Sequence, residues 1–238
     1  MSVNAPDSSK PLPPSPSAPS PPPSDRSPQY SLPDLETLSH IADLPVLDEH
    51  GTERPFSTLY TTLKQDNPNS STTTPQHHLL IFIRHFFCGH CEDYVRALST
   101  SLPPPLLLET YQTTLTIIGH GSPTLIRDYR TRTNCPFSIV TDPSAALHAA
   151  LGMSRNLELG DTKPEYVQSG VVAGTLSSMA KMVGSGRGMW KGGEFSLNGG
   201  EWVFREGGGC MWGRRMENTR DHAEMGEIKE VLEGLRDD

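Results

Sequence analysis

The stretch that decides the fold of this chain is His77-His78-Leu79-Leu80-Ile81-Phe82-Ile83-Arg84-His85-Phe86-Phe87-Cys88-Gly89-His90-Cys91-Glu92-Asp93-Tyr94-Val95. It opens with a continuous apolar run at 79–83, which is typical of a central strand covered on both faces. A Cys-x-x-Cys turn follows, and the residues after it have helical character up to Pro103, which stops the helix. The sequence therefore predicts a buried strand that leads into a helix whose first turn carries two cysteines.

Strands and helices alternate along the rest of the 238-residue chain. This alternation is typical of an α/β fold in which βαβ units build a mostly parallel sheet. A polar stretch at 64–76 is predicted to be a loop. The predicted strands are two short pieces within 45–56, then 79–83, 115–118, 137–140, 201–205 and 210–215, and the predicted helices are 32–43, 57–63, 88–102, 122–131, 144–151, 171–183 and 223–235.

The first thirty residues differ from the rest in composition. Ten of the 22 prolines lie between Pro6 and Pro28, where they alternate with serines. Such a segment has too little apolar surface to offset the conformational entropy that folding would remove. We therefore predict a disordered Pro/Ser-rich tail over residues 1–30 and one folded domain over residues 31–238.

The net charge of -8 belongs to the folded part, because the acidic and basic residues of the tail balance. An acidic body without a basic stripe argues against a nucleic-acid partner. No apolar run approaches the roughly 20 residues that a membrane-spanning helix needs. The start of the chain lacks the apolar segment of a secretory signal. These features predict a cytoplasmic protein with neither a membrane nor a nucleic acid as partner.

The two cysteines of the central stretch lie where thiols become reactive. A free cysteine has a pKa of about 8.5, and the unpaired amides and positive dipole end of a helix N-terminus lower it. A cationic His90 would stabilise a thiolate at Cys88 further, and Arg84 and His85 flank the turn from the strand side. We therefore expect the chemistry of the protein at Cys88.

The helical spacing assigns different positions to the two thiols. Cys91, Val95 and Leu98 share one face, so Cys91 is expected to point inward and Cys88 to lie at the exposed tip of the turn. A second cysteine one helical turn away is placed to attack an oxidised first cysteine. Cys88 is accordingly the predicted nucleophile and Cys91 the predicted resolving cysteine.

Other interpretations of the same residues remain open. A Cys-x-x-Cys pair is also half of a zinc site, although Cys135 and Cys210 are isolated and supply no second pair. The chain is alternatively a non-catalytic binding module. The glycine-rich stretch 184–188 does not follow a strand and lacks the Gly-Lys-Ser/Thr ending of a phosphate loop, so no cofactor is expected.

Several segments together resemble the peroxiredoxin-like 2 group of AhpC/TSA-type antioxidant proteins, over about residues 45–235. The resemblance implies a thioredoxin-like fold, with a central mixed sheet flanked by helices, and thiol-dependent reduction of a peroxide, endoperoxide or disulfide. It also implies thioredoxin or glutathione as electron donor. At one position the chain departs from typical peroxiredoxins, since His85 stands where they carry threonine. The matching segments are Ile81 to Cys91, Ile118-Gly119-His120-Gly121, Thr141-Asp142-Pro143, Leu151-Gly152-Met153, Gly199-Gly200 and Arg220-Asp221-His222.

Overall fold

The computed structural model describes residues 27–61, 74–167 and 192–236. In these ranges the chain forms a seven-stranded sheet with helices on both faces. The strands are β1 (Pro45–Leu47), β2 (Glu53–Pro55), β3 (His77–Phe82), β4 (Thr113–Gly119), β5 (Ser138–Thr141), β6 (Gly200–Arg205) and β7 (Cys210–Arg215). The helices are α1 (Leu35–Ala42), α2 (Gly89–Ser101), α3 (Pro104–Tyr111), α4 (Ile126–Thr133), α5 (Ala146–Ala150) and α6 (Met225–Arg236), and short 3-10 turns lie at Pro28–Tyr30, Phe56–Leu59 and Pro123–Leu125.

The strand order is β2-β1-β5-β4-β3-β6-β7, with the predicted central strand β3 near its middle. β3 runs parallel to β4 and antiparallel to β6. A parallel β3-α2-β4 unit and an antiparallel β6-β7-α6 unit thus meet where β3 pairs with β6, which confirms the predicted thioredoxin-like fold with a mixed sheet. A mostly parallel sheet was the wrong expectation, because hairpins at both ends make four of the six described pairings antiparallel.

Every residue of β3 is buried, because helices cover both faces of the sheet. Leu79 and Ile81 pack on the side that carries α2, α4 and α6. Leu80 and Phe82 pack on the other side, with α1 and α5. Burying one such side chain contributes about 1.5–3 kcal/mol, so this strand anchors the two halves of the core to each other.

The three prolines at 103–105 do more than end a helix. From the sequence they were predicted only to end α2, and the helix α3 that begins at Pro104 was not predicted. Proline is favoured in a first helical turn, because the amide that it lacks has no partner there in any case. The same prolines therefore end α2 and begin α3.

The folded part of the chain begins earlier than the predicted boundary at residue 30. Pro28–Tyr30 forms a turn that lies on β7, where Arg215 Nη1 donates to the carbonyls of Pro28 (3.1 Å) and Ser31 (2.7 Å). The Tyr30 hydroxyl accepts from Arg214 Nε at 3.2 Å. Residues 28–30, which were predicted to belong to the tail, therefore pack on β7. The rest of the predicted tail, most of the predicted loop 64–76 and the predicted helix 171–183 lie outside the described residues.

The backbone is tightly packed at Gly199, just before β6. A Cβ atom at Gly199 would overlap the carbonyl oxygen of Phe82, which is backbone and cannot rotate away. We expect Gly199→Ala to lower the free energy of unfolding by roughly 3 kcal/mol in urea denaturation. Gly226→Ala in α6 is the matched control: nothing lies within 4 Å of its Cβ position. It should raise stability by about 0.5–1 kcal/mol, and equal effects of the two changes would contradict this packing.

Candidate active site

The Cys-x-x-Cys turn lies where β3 ends and α2 begins. Cys88 is the N-cap of α2, and its sulfur accepts a hydrogen bond from the Cys91 amide at 3.3 Å. The two sulfur atoms are 2.7 Å apart, and both cysteines are free thiols. A helix N-terminus presents unpaired amides and a positive dipole end, so it stabilises a negative charge on the first sulfur.

Arg84 supplies the positive charge of the site. Its Nη1 lies 3.7 Å from the Cys88 sulfur, and the side chain is buried with its residue only 6% exposed. Nε donates to the carbonyl of Leu197 at 3.1 Å, and Nη2 donates to the carbonyl of Phe195. The guanidinium group is therefore held in place by backbone oxygens while one nitrogen faces the thiol.

The pKa values of the two thiols are driven apart. Burial raises the pKa of Cys88, but the Cys91 hydrogen bond, the charge of Arg84 and the Cys91 amide outweigh burial and bring the pKa to about 5. Burial and the neighbouring thiolate raise the pKa of Cys91 well above its ordinary value. At neutral pH the pair therefore holds one proton, on Cys91, and one negative charge, on Cys88.

Cys88 does not lie at an exposed tip, which corrects the expectation drawn from the sequence. Its residue is 3% exposed and Cys91 is fully buried. Phe86 and Phe87 beside it are buried in the same core cluster. Helical spacing correctly predicted that Cys91 points inward. The solvent exposure of a residue at the start of a helix, such as Cys88, depends instead on segments that are remote in sequence.

The two histidines of the turn are uncharged neighbours of the thiol. Burial lowers the pKa of His90, and burial together with the charge of Arg84 lowers that of His85 much further. The cationic form of His90 that would stabilise the thiolate is therefore disfavoured, and the positive charge beside Cys88 comes from Arg84. His85 Nδ1 accepts from the Phe87 amide at 3.3 Å, which shapes the turn and leaves the imidazole proton on Nε2.

Some neighbours of the site were missed by sequence reasoning. Phe195 and Leu197 act through their carbonyls, which carry no sequence signal. On the far side of α2, Glu201 and His222 form a fully buried pair with Nδ1 and Oε1 2.5 Å apart, and the Tyr94 ring stacks on the imidazole at 4.2 Å. His222 belongs to the Arg-Asp-His piece of the resemblance, and that piece is the signal that could have led to the pair.

The comparison with protein-family models decides the family. Residues 98–218 match the model described as AhpC/TSA antioxidant enzyme. This stretch starts inside α2, beyond the cysteine pair, and runs past β7. The chain belongs to the AhpC/TSA antioxidant enzyme family. The match confirms the resemblance stated from the sequence, and it rests on the scaffold rather than on the two thiols.

Similar proteins from animals agree with membership of the AhpC/TSA family. The chain is 26% identical over 193 residues to the human and mouse proteins named Peroxiredoxin-like 2C, covering 81% of this chain and 78% of each relative. A PrxQ from Xylella fastidiosa is a similar solved structure, with 14% identity, a TM-score of 0.49, and coverage of 83% of this chain and 91% of that one. A secreted disulfide oxidoreductase from Mycobacterium tuberculosis has 11% identity, a TM-score of 0.44, and coverage of 85% and 100%.

No group of three or more His, Cys, Asp or Glu side chains within residues 27–61, 74–167 and 192–236 is placed to hold a metal ion. Among the helices of those ranges, none has both the length and the apolar character that crossing a bilayer would require.

The reactivity of Cys88 should follow the titration of its thiol. We expect its alkylation by iodoacetamide, measured by peptide mass spectrometry, to rise through about pH 5 and to level off well before neutral pH. Arg84→Gln should move this midpoint upward, because it removes a cation 3.7 Å from the sulfur. Arg96→Gln, an α2 arginine that pairs with Asp93 and Glu92 instead, is the control and should leave the midpoint unchanged. A midpoint near the ordinary cysteine value in the unmodified protein would contradict the assignment.

Proposed function

We propose that this protein is a thiol-dependent oxidoreductase that reduces a small peroxide or endoperoxide, with Cys88 as nucleophile and Cys91 as resolving cysteine. The observation that carries the proposal is the surroundings of the Cys88 sulfur. It accepts a hydrogen bond from the Cys91 backbone amide and lies 3.7 Å from Nη1 of Arg84. A sulfur held as a thiolate at neutral pH is the form that attacks an oxidant. The family to which the chain belongs supports a redox role.

The burial of Cys88 favours a small oxidant over a protein disulfide. A sulfur atom whose residue is 3% exposed is within reach of a small molecule but cannot be approached by a protein surface without rearrangement. The neighbouring rings of Phe86 and Phe87 make the surroundings apolar. A hydroperoxide or an endoperoxide with apolar substituents suits this environment in polarity.

The first step is attack of the Cys88 thiolate on one oxygen of the peroxide bond. With a hydroperoxide the S–O bond forms at the terminal oxygen and the O–O bond breaks, so that sulfur loses two electrons, Cys88 becomes a sulfenic acid, and the other oxygen leaves as an alkoxide or hydroxide that takes up a proton from water. With an endoperoxide the same attack gives a sulfenate ester on Cys88, and the second oxygen stays on the bound molecule as an alkoxide that takes up a proton from water. The positive charge of Arg84 stabilises the negative charge while it shifts from sulfur to oxygen.

In the second step the Cys91 thiol attacks the sulfur of the Cys88 sulfenic acid. The disulfide forms and the oxygen leaves with the proton of Cys91, as water from the sulfenic acid or as the alcohol of the reduced substrate from a sulfenate ester. The sulfur atoms start 2.7 Å apart, so the step needs little movement of α2. Thioredoxin or glutathione then returns two electrons to the disulfide, which suits a reducing compartment such as the cytoplasm.

The supporting residues take distinct parts in this proposal. Arg84 holds the thiolate form. His85 shapes the turn through the Phe87 amide, and it replaces the threonine hydroxyl of typical peroxiredoxins with a neutral imidazole. His90, also neutral, has a buried Nδ1 that makes no hydrogen bond within the described structure. Its part is to limit water at the first turn of α2 rather than to supply charge.

The decisive measurement is NADPH consumption coupled through thioredoxin or glutathione, with hydrogen peroxide, an organic hydroperoxide and a small disulfide as oxidants. Cys88→Ser should lower the rate by about a hundredfold or more, since a serine hydroxyl does not form the attacking anion at neutral pH. Cys91→Ser should stop after one turnover with one oxygen atom added at Cys88. Cys210→Ser, which changes a thiol on β7 outside the site, is the matched control and should keep full activity.

The same variants separate the alternatives. If Cys88→Ser retained the activity, or fully rescued cells that lack the protein, the proposal would fail and a non-catalytic binding module would be favoured. Stoichiometric zinc in protein purified without chelator, lost in both cysteine variants, would favour a metal-binding protein.

A further inference from the structure

A cavity of about 590 Å³ lies at the end of the sheet opposite to the dithiol, and it is called the distal pocket here. It is formed where β3 begins, by the last residues of α3, β6 and α6. Along β3, five steps of about 3.3 Å separate His77 from Phe82, so the distal pocket is roughly 17 Å or more from the turn that carries Cys88. It is therefore separate from the candidate active site.

Two exposed arginines give the distal pocket a positive charge. Arg205 ends β6 and Arg236 ends α6, and both line the cavity. Within the described part of the chain, neither side chain makes an ion pair or a hydrogen bond. Arg214 on the neighbouring strand β7, in contrast, pairs with Asp221 at 2.7 Å. The two guanidinium groups of the pocket are thus available to an anion.

The surroundings explain one of these charges but not the other. A helix C-terminus favours a cation, and Arg236 lies in the last turn of α6. Arg205 is at the end of a strand, where no such dipole acts. Glu206 also lines the pocket, and its Oε2 lies 2.8 Å from Nε2 of His78. Two positive charges against this one carboxylate leave the pocket positive in an otherwise acidic protein.

His77 is the buried polar side chain of the pocket. It lines the cavity although its residue is only 7% exposed, and it lies directly opposite Arg205 in the antiparallel β3–β6 pair. Burial and the charge of Arg205 lower the pKa of His77, so its imidazole is neutral and carries one N–H donor. Among the described residues this imidazole has no hydrogen-bond partner. A ligand oxygen would recover the free energy that an unpaired buried donor costs.

Tyr111 and Leu235 add an apolar wall. Both belong to the edge of the core cluster on the α2 side of the sheet, and both line the cavity. The volume of about 590 Å³ falls within the range of roughly 300–1,000 Å³ that is typical of small-molecule sites. Apolar surface beside a few converging polar groups is also the usual character of such sites.

We propose that the distal pocket binds a small organic anion. Its carboxylate or phosphate group lies against Arg205, Arg236 and His77, and its apolar body lies against Tyr111 and Leu235. Guanidinium groups bind both kinds of oxyanion through charge-assisted hydrogen bonds. The dithiol takes no part in this binding, so the inference does not depend on the proposed function.

Isothermal titration calorimetry of the full 238-residue protein at low ionic strength tests the ligand class. The probes are octanoate, octyl phosphate and 1-octanol, which share an eight-carbon chain, together with inorganic phosphate. We expect saturable binding of octanoate or octyl phosphate, about tenfold tighter than that of 1-octanol or inorganic phosphate. The tighter of the two anions identifies the preferred head group. No saturable binding of either anion, or equally tight binding of 1-octanol or of inorganic phosphate, would overturn the proposal.

Three arginine variants test the location. Arg205→Gln and Arg236→Gln should each weaken binding of the preferred anion about tenfold, because each removes a charge-assisted hydrogen bond. Arg54→Gln is the matched control: it removes one positive charge from the exposed strand β2 at the other edge of the sheet and should leave the affinity unchanged. Full affinity in Arg205→Gln, or an equal loss in Arg54→Gln, would contradict binding in the distal pocket.

The alkylation of Cys88 separates this inference from the proposed function. In Arg205→Gln and Arg236→Gln its pH midpoint should match that of the unmodified protein, which also verifies that both variants are folded. An altered midpoint would mean that these arginines act on the dithiol, against a separate site. Anion binding that persists in a protein without peroxide or disulfide reductase activity would support the distal pocket while the proposed function failed.

Discussion

The stabilisation of a negative charge inside the protein is the constraint on which the rest of this structure depends. A buried anion is tolerated only with a partner charge and hydrogen bonds. Cys88 has both, since Arg84 lies 3.7 Å away and the Cys91 amide donates at 3.3 Å. Arg84 and Cys91 lie in the turn between β3 and α2 and in the first turn of α2. Because β3 is buried along its whole length, the core holds this turn in place.

This compensation gives the two cysteines different properties. The same burial that raises the pKa of Cys91 is overcome at Cys88 by charge and hydrogen bonding. The arginine that stabilises the thiolate is itself held by the carbonyls of Phe195 and Leu197. The position of its charge beside Cys88 therefore depends on the segment that precedes β6.

Much of the fold followed from local sequence patterns. The apolar run of β3, the Cys-x-x-Cys turn, the helix after it and the late hairpin were all predicted close to their observed bounds. The errors arose where one signal has two meanings. Three consecutive prolines predict the end of a helix, yet the same prolines also begin α3. A histidine beside a cysteine suggests a cation, yet burial lowers the pKa of His90 and leaves it neutral.

The sequence by itself determined the α/β class, the place of the two thiols at a helix N-terminus and the inward direction of Cys91, because these depend on periodicity and on residues within one or two turns. Only the tertiary structure decided that Cys88 is buried, that Arg84 is its counter-charge and that residues 194–198 lie beside it. The hydrogen bonds that hold Arg84 in place join atoms more than a hundred residues apart in the chain. Their geometry depends on how β6 pairs with β3, and backbone carbonyls from a distant loop leave no pattern in the sequence.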